Sequence, residues 1–405
     1  MINVAVMGYG TVGSGVVEVL EKNKDVIAKR VGEEVCVKYV LDLRDFPGDP
    51  VQEKVVHDFE IVVNDSEVAI VVETMGGIEP AYTFVKRSLL AGKSVATSNK
   101  ALVEKRGAEL LAIAREKNLN FLFEASVGGG IPILRPLKTS LTADVVEEIG
   151  GILNGTTNYM LTKMYDKGVD YDIVLKEAQD KGYAERNPEA DVEGYDTGRK
   201  IAILCSLVTG KKVDFEDIYT EGITKVSKED MAYARSLGMH VKLLASAKRH
   251  GDKMCVMVAP VMMGREHPLY AVDDVFNAVF VRGNMLGDAM FYGSGAGKLP
   301  TASAVVADVV EAAKNPSISM MGAWSEEKEE LLPPDAISRR FFVRMPGDAR
   351  EKLPAVKESF GSVTLVEVEG LDGEFGFLSE EMTEGEYAKC AERFPEILHR
   401  LRIEG

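Results

Sequence analysis

Apolar residues recur along this chain in two alternating periods, and that alternation sets the first expectation of its fold. Short apolar runs at Asn3 to Met7, Val35 to Leu41, Ala69 to Val72, Ser94 to Thr97 and Asn120 to Phe123 read as strands. Between them, Val16 to Leu20, Ala81 to Leu90 and Gly107 to Lys117 carry helical spacing. Strands alternating with helices predict an α/β, doubly wound parallel sheet over residues 1–130. A second group of strand-like runs, Val145 to Leu153, Met254 to Val261, Val275 to Arg282 and Met285 to Tyr292, predicts one α+β domain over 131–297. Within it, Ile201, Leu204, Leu207 and Val208 recur at helical spacing from Gly194 until Gly210 offers a stop. Another helix is expected to start near Thr301, with a hydroxyl cap and with Asp308 on its polar side. Residues 316–335, Glu-rich at Ser325 to Glu330 and broken by Pro333-Pro334, read as a linker. The last stretch, 336–405, reads as strand Arg340 to Met345, helix Ala349 to Phe360, hairpin strands Val363 to Val368 and Glu374 to Leu378, helix Glu384 to Phe394 and strand Ile397 to Ile403. That order is βαββαβ.

Composition narrows the class without changing this outline. With 405 residues, 46% of them hydrophobic, the chain can bury large cores. No apolar run is long enough to span a bilayer, and the N-terminus enters a strand and Gly-rich turn, so a cytoplasmic protein is expected. A formal charge of −16 disfavours nucleic acid or an anionic membrane as partner. Cys36, Cys205, Cys255 and Cys390 are scattered without paired spacing, which argues against disulfides, zinc or a redox motif. None of the five histidines lies in a Gly-rich or carboxylate-rich segment, so histidine chemistry is not expected.

The candidate chemistry sits at the ends of the predicted elements. Gly8-Tyr9-Gly10-Thr11-Val12-Gly13 follows the first strand and opens the first helix. In that context Gly8 allows a tight turn, Gly10 lets backbone approach a pyrophosphate, and Gly13 lets helix pack on strand. The second strand ends at Asp42-Leu43-Arg44, where the signals conflict. Asp42 suits a ribose 2′-hydroxyl, whereas Arg44 or Lys38 suits a 2′-phosphate, so NAD and NADP both remain open. Glu73-Thr74-Met75-Gly76-Gly77 and Thr97-Ser98-Asn99-Lys100 load two further strand ends, which places Lys100 either at a ligand or simply on the surface. Finally, Ala178 to Lys200 brings Glu185, Glu189, Asp191, Asp196 and Lys200 to the start of one helix. Asp196 and Lys200, four apart, share a face, and the group suits gripping an ammonium and moving a proton, or else an exposed ion pair beside a solvated loop.

Several of these segments together resemble homoserine dehydrogenase. The resemblance covers about residues 1 to 315, and its sharpest part is Ala178, Gly182, Tyr183, Ala184, Pro188, Asp191, Gly194, Asp196 and Lys200 at fixed offsets. Phe123 to Pro132 with its triple glycine, Gly151 to Tyr159, and Gly293-Ser294-Gly295-Ala296-Gly297 are also similar to family segments. It implies a Rossmann-type nucleotide domain that the 298–315 helix rejoins, and the interconversion of L-aspartate 4-semialdehyde and L-homoserine with NADP or NAD. The catalytic residues it implies are Lys200, Asp196 and Lys100, without deciding which lysine transfers the proton. The implied substrate contacts are Glu185, Asp191, Asp196, Asn154 and Thr156. The implied cofactor contacts are Gly8, Gly10, Thr11, Val12, Gly13, Arg44, Thr74, Gly76, Ser98, Lys100, Gly182, Gly293 and Gly295. It further implies a monovalent cation, Na+ or K+, held mainly by carbonyls of Glu124, Val127, Gly129 and Ile131, although those glycines equally suit a tight strand-to-helix crossing. The expected site lies between the nucleotide and substrate domains of a homodimer or homotetramer. The tail resembles an ACT domain, an amino-acid-sensing module, which implies feedback inhibition by L-threonine; a merely structural or dimerising tail is the alternative. A dehydrogenase of another amino acid and a non-catalytic nucleotide and amino-acid sensor remain as rival readings of the whole.

Overall fold

A computed structural model describes residues 1–322 and 324–405 and groups them into two compact units. The first comprises Met1–Val145, Ala202–Phe215 and Phe291–Glu329; the second comprises Val146–Ile201, Glu216–Met290 and Glu330–Gly405. The boundaries differ from those expected at 130, 297 and 335, chiefly because the C-terminal stretch groups with the middle of the chain.

The first unit begins β1 (Ile2–Met7), α1 (Thr11–Lys22), α2 (Lys24–Val31), β2 (Val35–Leu41), β3 (Val55–Val56), α3 (Phe59–Asn64), β4 (Val68–Glu73), α4 (Ala81–Leu90), β5 (Ser94–Thr97), α5 (Lys100–Glu116), β6 (Phe121–Leu122) and α6 (Leu134–Thr139). Its six strands form one parallel sheet in the order β3-β2-β1-β4-β5-β6. Val4 to Met7 and Ile70 to Val72 are buried throughout, the signature of parallel strands covered on both faces. The order turns outward on either side of β1 and β4, so their carboxyl ends make the crevice where such sheets bind ligands.

The chain continues β7 (Val146–Ile152), α7 (Gly155–Lys167), α8 (Tyr171–Asp180), α9 (Glu189–Val192), α10 (Tyr195–Thr209), β8 (Lys211–Lys212), β9 (Tyr219–Thr220), α11 (Lys228–Ser236), β10 (His240–His250), β11 (Lys253–Met263), β12 (Phe276–Gly283), β13 (Gly287–Ser294) and α12 (Lys298–Lys314). Helix α12 returns to the first unit and lies so close to α1 that a Cβ on Gly15 would stand 2.9 Å from that of Ala302. Asp308 is not on a polar face, contrary to expectation: it is buried, where its carboxylate accepts from Glu124 N at 2.8 Å and Arg135 Nη2 at 2.6 Å. Nor is 316–335 a free linker. Trp324 is buried edge-on against Phe123, a Cβ on Gly107 would meet its ring at 2.4 Å, and β14 (Ser325–Lys328) pairs with β8. One large apolar anchor outweighs the acidic, proline-broken composition around it.

The tail adds β15 (Phe341–Pro346), α13 (Ala349–Phe360), β16 (Val363–Val366), β17 (Glu374–Ser379), α14 (Glu384–Ala391) and β18 (His399–Glu404). It has the expected βαββαβ sequence, with strands ordered β18-β15-β17-β16 over a core of Phe341, Val343, Val356, Phe360, Phe375 and Phe377. Its outer strand does not end there. Val261, Met262 and Met263 of β11 pair in parallel with Arg402, Ile403 and Glu404, so the second sheet runs on as β13-β12-β7-β10-β11-β18-β15-β17-β16. Among the described residues no helix is long and apolar enough to cross a membrane.

Candidate active site

In the second unit, β7 delivers the chain to Asn154, which caps α7: its Oδ1 accepts from Thr157 N at 2.8 Å. The same amide's Nδ2 donates to Asp191 Oδ1 at 2.7 Å and to Asp196 Oδ2 at 2.9 Å. One turn along α10, Lys200 Nζ lies 2.7 Å from Asp196 Oδ2 and 2.7 Å from Leu153 O. Asp196 and Lys200 are 5% and 9% exposed, which sets this pair apart from the solvated i,i+4 pair that the bare sequence allowed. Asn154 thus draws Asp191 of α9 and Asp196 of α10 together, and the backbone of Leu153 fixes the ammonium beside them.

Thr156 stands on the next turn, its Oγ1 donating to Tyr183 O at 2.6 Å. Gly182, with φ +74°, makes the turn that ends α8 and presents Tyr183 to Tyr159, ring centroids 5.0 Å apart. Glu185 is not drawn into the cluster; it is exposed, and its carbonyl accepts from Gln179 Nε2 at 3.1 Å.

The nucleotide cradle belongs to the first unit. Gly8 takes φ +94°, and a Cβ on Gly13 would stand 1.9 Å from Gly8 O and 2.8 Å from Thr74 Oγ1. Only glycine fits there. Gly10, by contrast, opens α1 with no side-chain cap, and a Cβ on it would meet nothing within 4 Å. Open space at the start of a helix headed by Thr11 and Val12 fits a dinucleotide pyrophosphate. Thr74 Oγ1 ties β4 to this turn through Met7 O and Gly8 O.

At the end of β2, Asp42 is already committed. Its carboxylate accepts from Tyr9 N at 2.7 Å and from Arg44 N, Nε and Nη2 at 3.0 Å, and the guanidinium holds its pKa well below the usual range. Arg44 remains mostly exposed. Lys38 points elsewhere, pairing with Asp65 and Glu67 at 2.6 Å each.

Models of two homoserine dehydrogenase regions match this chain: the NAD binding domain at residues 8–124 and the homoserine dehydrogenase domain at 132–310. The homoserine dehydrogenase of Bacillus subtilis is 42% identical over 84% of this chain and 80% of its own length; that of Synechocystis is 37% identical over 98% and 96%. The chain belongs to the homoserine dehydrogenase family. A solved homoserine dehydrogenase from Thiobacillus denitrificans, 34% identical, superposes with a TM-score of 0.90 over 100% of this chain and 98% of that one. A hyperthermophilic archaeal family member in complex with NADPH gives 0.66 at 27% identity, over 77% and 97%. Family members are NAD(P)-dependent oxidoreductases acting on a CH–OH group, and this chain is one of them.

Against that family frame, the expected residues divide by unit. Lys100 opens α5 in the first unit, one residue after Asn99, whose side chain caps the helix and donates to Gly77 O at 2.6 Å. Ser98 is half-buried beside it, and Gly76 takes φ +78° on the neighbouring strand end. Glu73, placed by the sequence at a loaded strand end but given no role there, organises this corner. Wholly buried at the end of β4, it accepts from Thr97 Oγ1 at 2.6 Å and from Met75 N and Gly76 N at 2.8 and 3.2 Å. Burial pushes its carboxyl pKa up against those donors. A glutamate closing an apolar strand was the available signal. Gly293 and Gly295 lie against the Gly128 to Ile131 loop: a Cβ on Gly129 would stand 2.2 Å from Gly295 O, and Gly130 N donates to Ser294 O at 3.0 Å. In that loop Glu124, Val127 and Ile131 are buried, and the Glu124 carboxylate accepts from Ile133, Leu134 and Arg135 amides at the start of α6.

Proposed function

We propose that this chain interconverts L-homoserine and L-aspartate 4-semialdehyde with Lys200 as the proton-transferring group, Asp196 as its orienting partner, and Asp191 with Asp196 as the carboxylates that hold the substrate ammonium. The single observation that carries this reading is the Asn154–Asp191–Asp196–Lys200 cluster, in which Asn154, Asp196 and Lys200 are buried. The nicotinamide supplies and accepts the hydride, so the protein must hold the amino acid and manage one proton at its oxygen. Lys200 spends two of its donors on Asp196 and Leu153 O, which fixes the direction of the third. In reduction the ammonium gives that proton as charge develops on the substrate oxygen; in oxidation the amine takes it. Lys100, expected among the catalytic residues, takes no part in that proton transfer on this reading.

NADP is the preferred cofactor on this reading. Asp42 has no capacity left for a ribose hydroxyl, while the exposed Arg44 guanidinium suits a 2′-phosphate. For the cation, the capping role of the Glu124 carboxylate leaves residue 124 its carbonyl as donor, in keeping with carbonyls at Val127, Gly129 and Ile131. The exposed Met285, Leu286 and Met290 near the outer strand β13 support a homodimer. Four cysteines with no disulfide among the described residues suit a cytoplasmic enzyme. The βαββαβ tail is read as the seat of feedback inhibition by L-threonine.

The decisive experiment follows absorbance at 340 nm with L-homoserine and each cofactor, with and without L-threonine and with Na+ or K+ varied. Turnover with NADP+ exceeding that with NAD+ is expected, together with inhibition by threonine. No turnover with either cofactor would sink the assignment.

A further inference from the structure

Glu73 is wholly buried at the carboxyl end of β4, in the nucleotide unit, and the proton transfer proposed above does not use it. Its register partner on β5 is Thr97, and its carboxylate closes a ring of hydrogen bonds. Oε2 accepts from Thr97 Oγ1 at 2.6 Å, and Thr97 Oγ1 accepts in turn from Asn99 N at 2.9 Å. Asn99 Nδ2 donates to Gly77 O at 2.6 Å, while Gly76 N and Met75 N donate back to Glu73 Oε1 at 3.2 and 2.8 Å. The ring ties the turn after β4 to the turn after β5.

The first of these turns has little else to hold it. Gly76 and Gly77 take φ +78° and +71° in succession, and both are exposed. A Cβ on Gly76 would meet nothing within 4 Å, so packing does not set its conformation. The partners of Glu73 are two backbone amides and a hydroxyl, none of them a cation. An apolar side chain would fill the same place in the sheet without the cost of burying a carboxyl group. What the carboxylate adds is geometry: three donors from two strand ends converge on one rigid group.

The direction of that geometry follows from the sheet. The end of β2 carries Asp42 and Arg44 for the adenosine, and Gly8 to Gly13 cradle the pyrophosphate. β4 and β5 lie on the other side of β1, where a dinucleotide laid across the crevice places its second nucleoside. We propose that Glu73 is a positioning residue for the nicotinamide half of the cofactor, acting through Thr97 and Asn99 and through the Met75 and Gly76 amides. The adenosine half is read independently of it. This deepens the proposed function by naming what fixes the crevice wall beside the hydride-carrying ring.

The test uses the full-length enzyme and two probes: NADPH, by fluorescence titration, and 2′-phospho-ADP-ribose, which lacks the nicotinamide riboside, by calorimetry. E73Q keeps the volume but turns an N–H toward Thr97 Oγ1; T97V removes that hydroxyl, and T97S keeps it. E73Q and T97V are each expected to weaken NADPH binding and to lower kcat by about tenfold, the effect of one charge-assisted hydrogen bond. Binding of 2′-phospho-ADP-ribose and KM for homoserine at saturating cofactor should stay near wild type, and T97S should bind NADPH as the wild type does. The double variant E73Q/T97V should lose no more than the more impaired single variant, because both break the same link. Equal weakening of both probes would make Glu73 a support of the whole nucleotide unit and overturn the proposal. Wild-type NADPH binding in E73Q and T97V, or additive losses in the double variant, would overturn it as well. Both titrations are run without homoserine, so a wild type that binds NADPH but does not oxidise homoserine refutes the proposed function and leaves the role of Glu73 to be decided by binding alone.

Discussion

Asn154 does three things with one amide: it caps α7, it holds Asp191, and it holds Asp196. Asn154→Ala should therefore raise KM for homoserine by about tenfold or more and lower the melting temperature, since a lost cap alone costs ~1 kcal/mol. A variant with wild-type KM would show that the two aspartates hold position without it. Lys200→Ala and Asp196→Ala should each lower kcat by about 10²- to 10⁴-fold, the range for losing a general acid–base group, while cofactor affinity by fluorescence titration stays near wild type. Near-normal turnover in both would remove them from the chemistry. Arg44→Ala should raise KM for NADP+ by about tenfold and leave that for NAD+ nearly unchanged, as loss of a charge-assisted phosphate partner requires. Equal effects on both cofactors would assign Arg44 to supporting Asp42 instead. The i,i+4 pair was legible in the sequence because helical spacing alone puts Asp196 and Lys200 on one face. The Asn154 bridge was not: it depends on how β7 and the Pro188 loop meet, 37 residues apart along the chain.

Elements were most legible where period and breaker agreed. Ser94 to Thr97, Val35 to Leu41 and Ala349 to Phe360 have the expected bounds because apolar period, flanking glycine and cap all point one way. β10 was missed for a physical reason. HVKLLASAKRH is composed of good helix formers, and its small residues serve packing: Ala245 and Ala247 pair with Gly151 and Ile149, and a Cβ on Gly150 would stand 2.6 Å from Ala245 O. α11 shows what ties helix to sheet at this scale. Asp230, fully buried near its start, takes His399 Nδ1 at 2.8 Å from β18 and Arg344 Nη1 at 2.9 Å from β15. Burial alone would raise its pKa, but His399 and Arg344 outweigh that and hold it below the ordinary value. A depressed carboxyl pKa stabilises the fold above about pH 4 and loses that contribution as pH falls further. Asp230→Asn should cost about 1–3 kcal/mol at neutral pH, because Arg344 Nη1 and His399 Nδ1 lose the buried carboxylate between them while Glu374 keeps Arg344 Nε and Nη2. The gap between variant and wild-type melting temperatures should narrow in acid below about pH 4. A gap constant from pH 7 to pH 3 would assign the loss to packing.

For the whole molecule, the least legible fact is which strand β18 joins. Its local pattern told of a sheet edge in a small C-terminal domain, and β11 read as an ordinary strand of the middle domain; partner choice is written in neither. Their parallel pairing covers the edge at Val261 to Met263 and buries Arg402, whose Nε donates to Glu384 at 2.5 Å and Nη1 to Glu221 at 2.9 Å. A chain ending at Asp335 would uncover that methionine-rich edge and leave Glu221 without its buried guanidinium. Exposed apolar edges pair with other chains, and a half-removed buried ion pair costs more than its net worth. Such a truncation should elute early on size exclusion and melt several degrees below the full chain. A truncated chain with unchanged elution and melting would show the tail to be an appendage with its own stability. With the expected outcome, loss of threonine response after truncation says nothing about where threonine binds, since Glu221 and the β11 edge are disturbed by the same cut. Point substitutions within the tail then decide the location, because they leave the β11–β18 pairing in place.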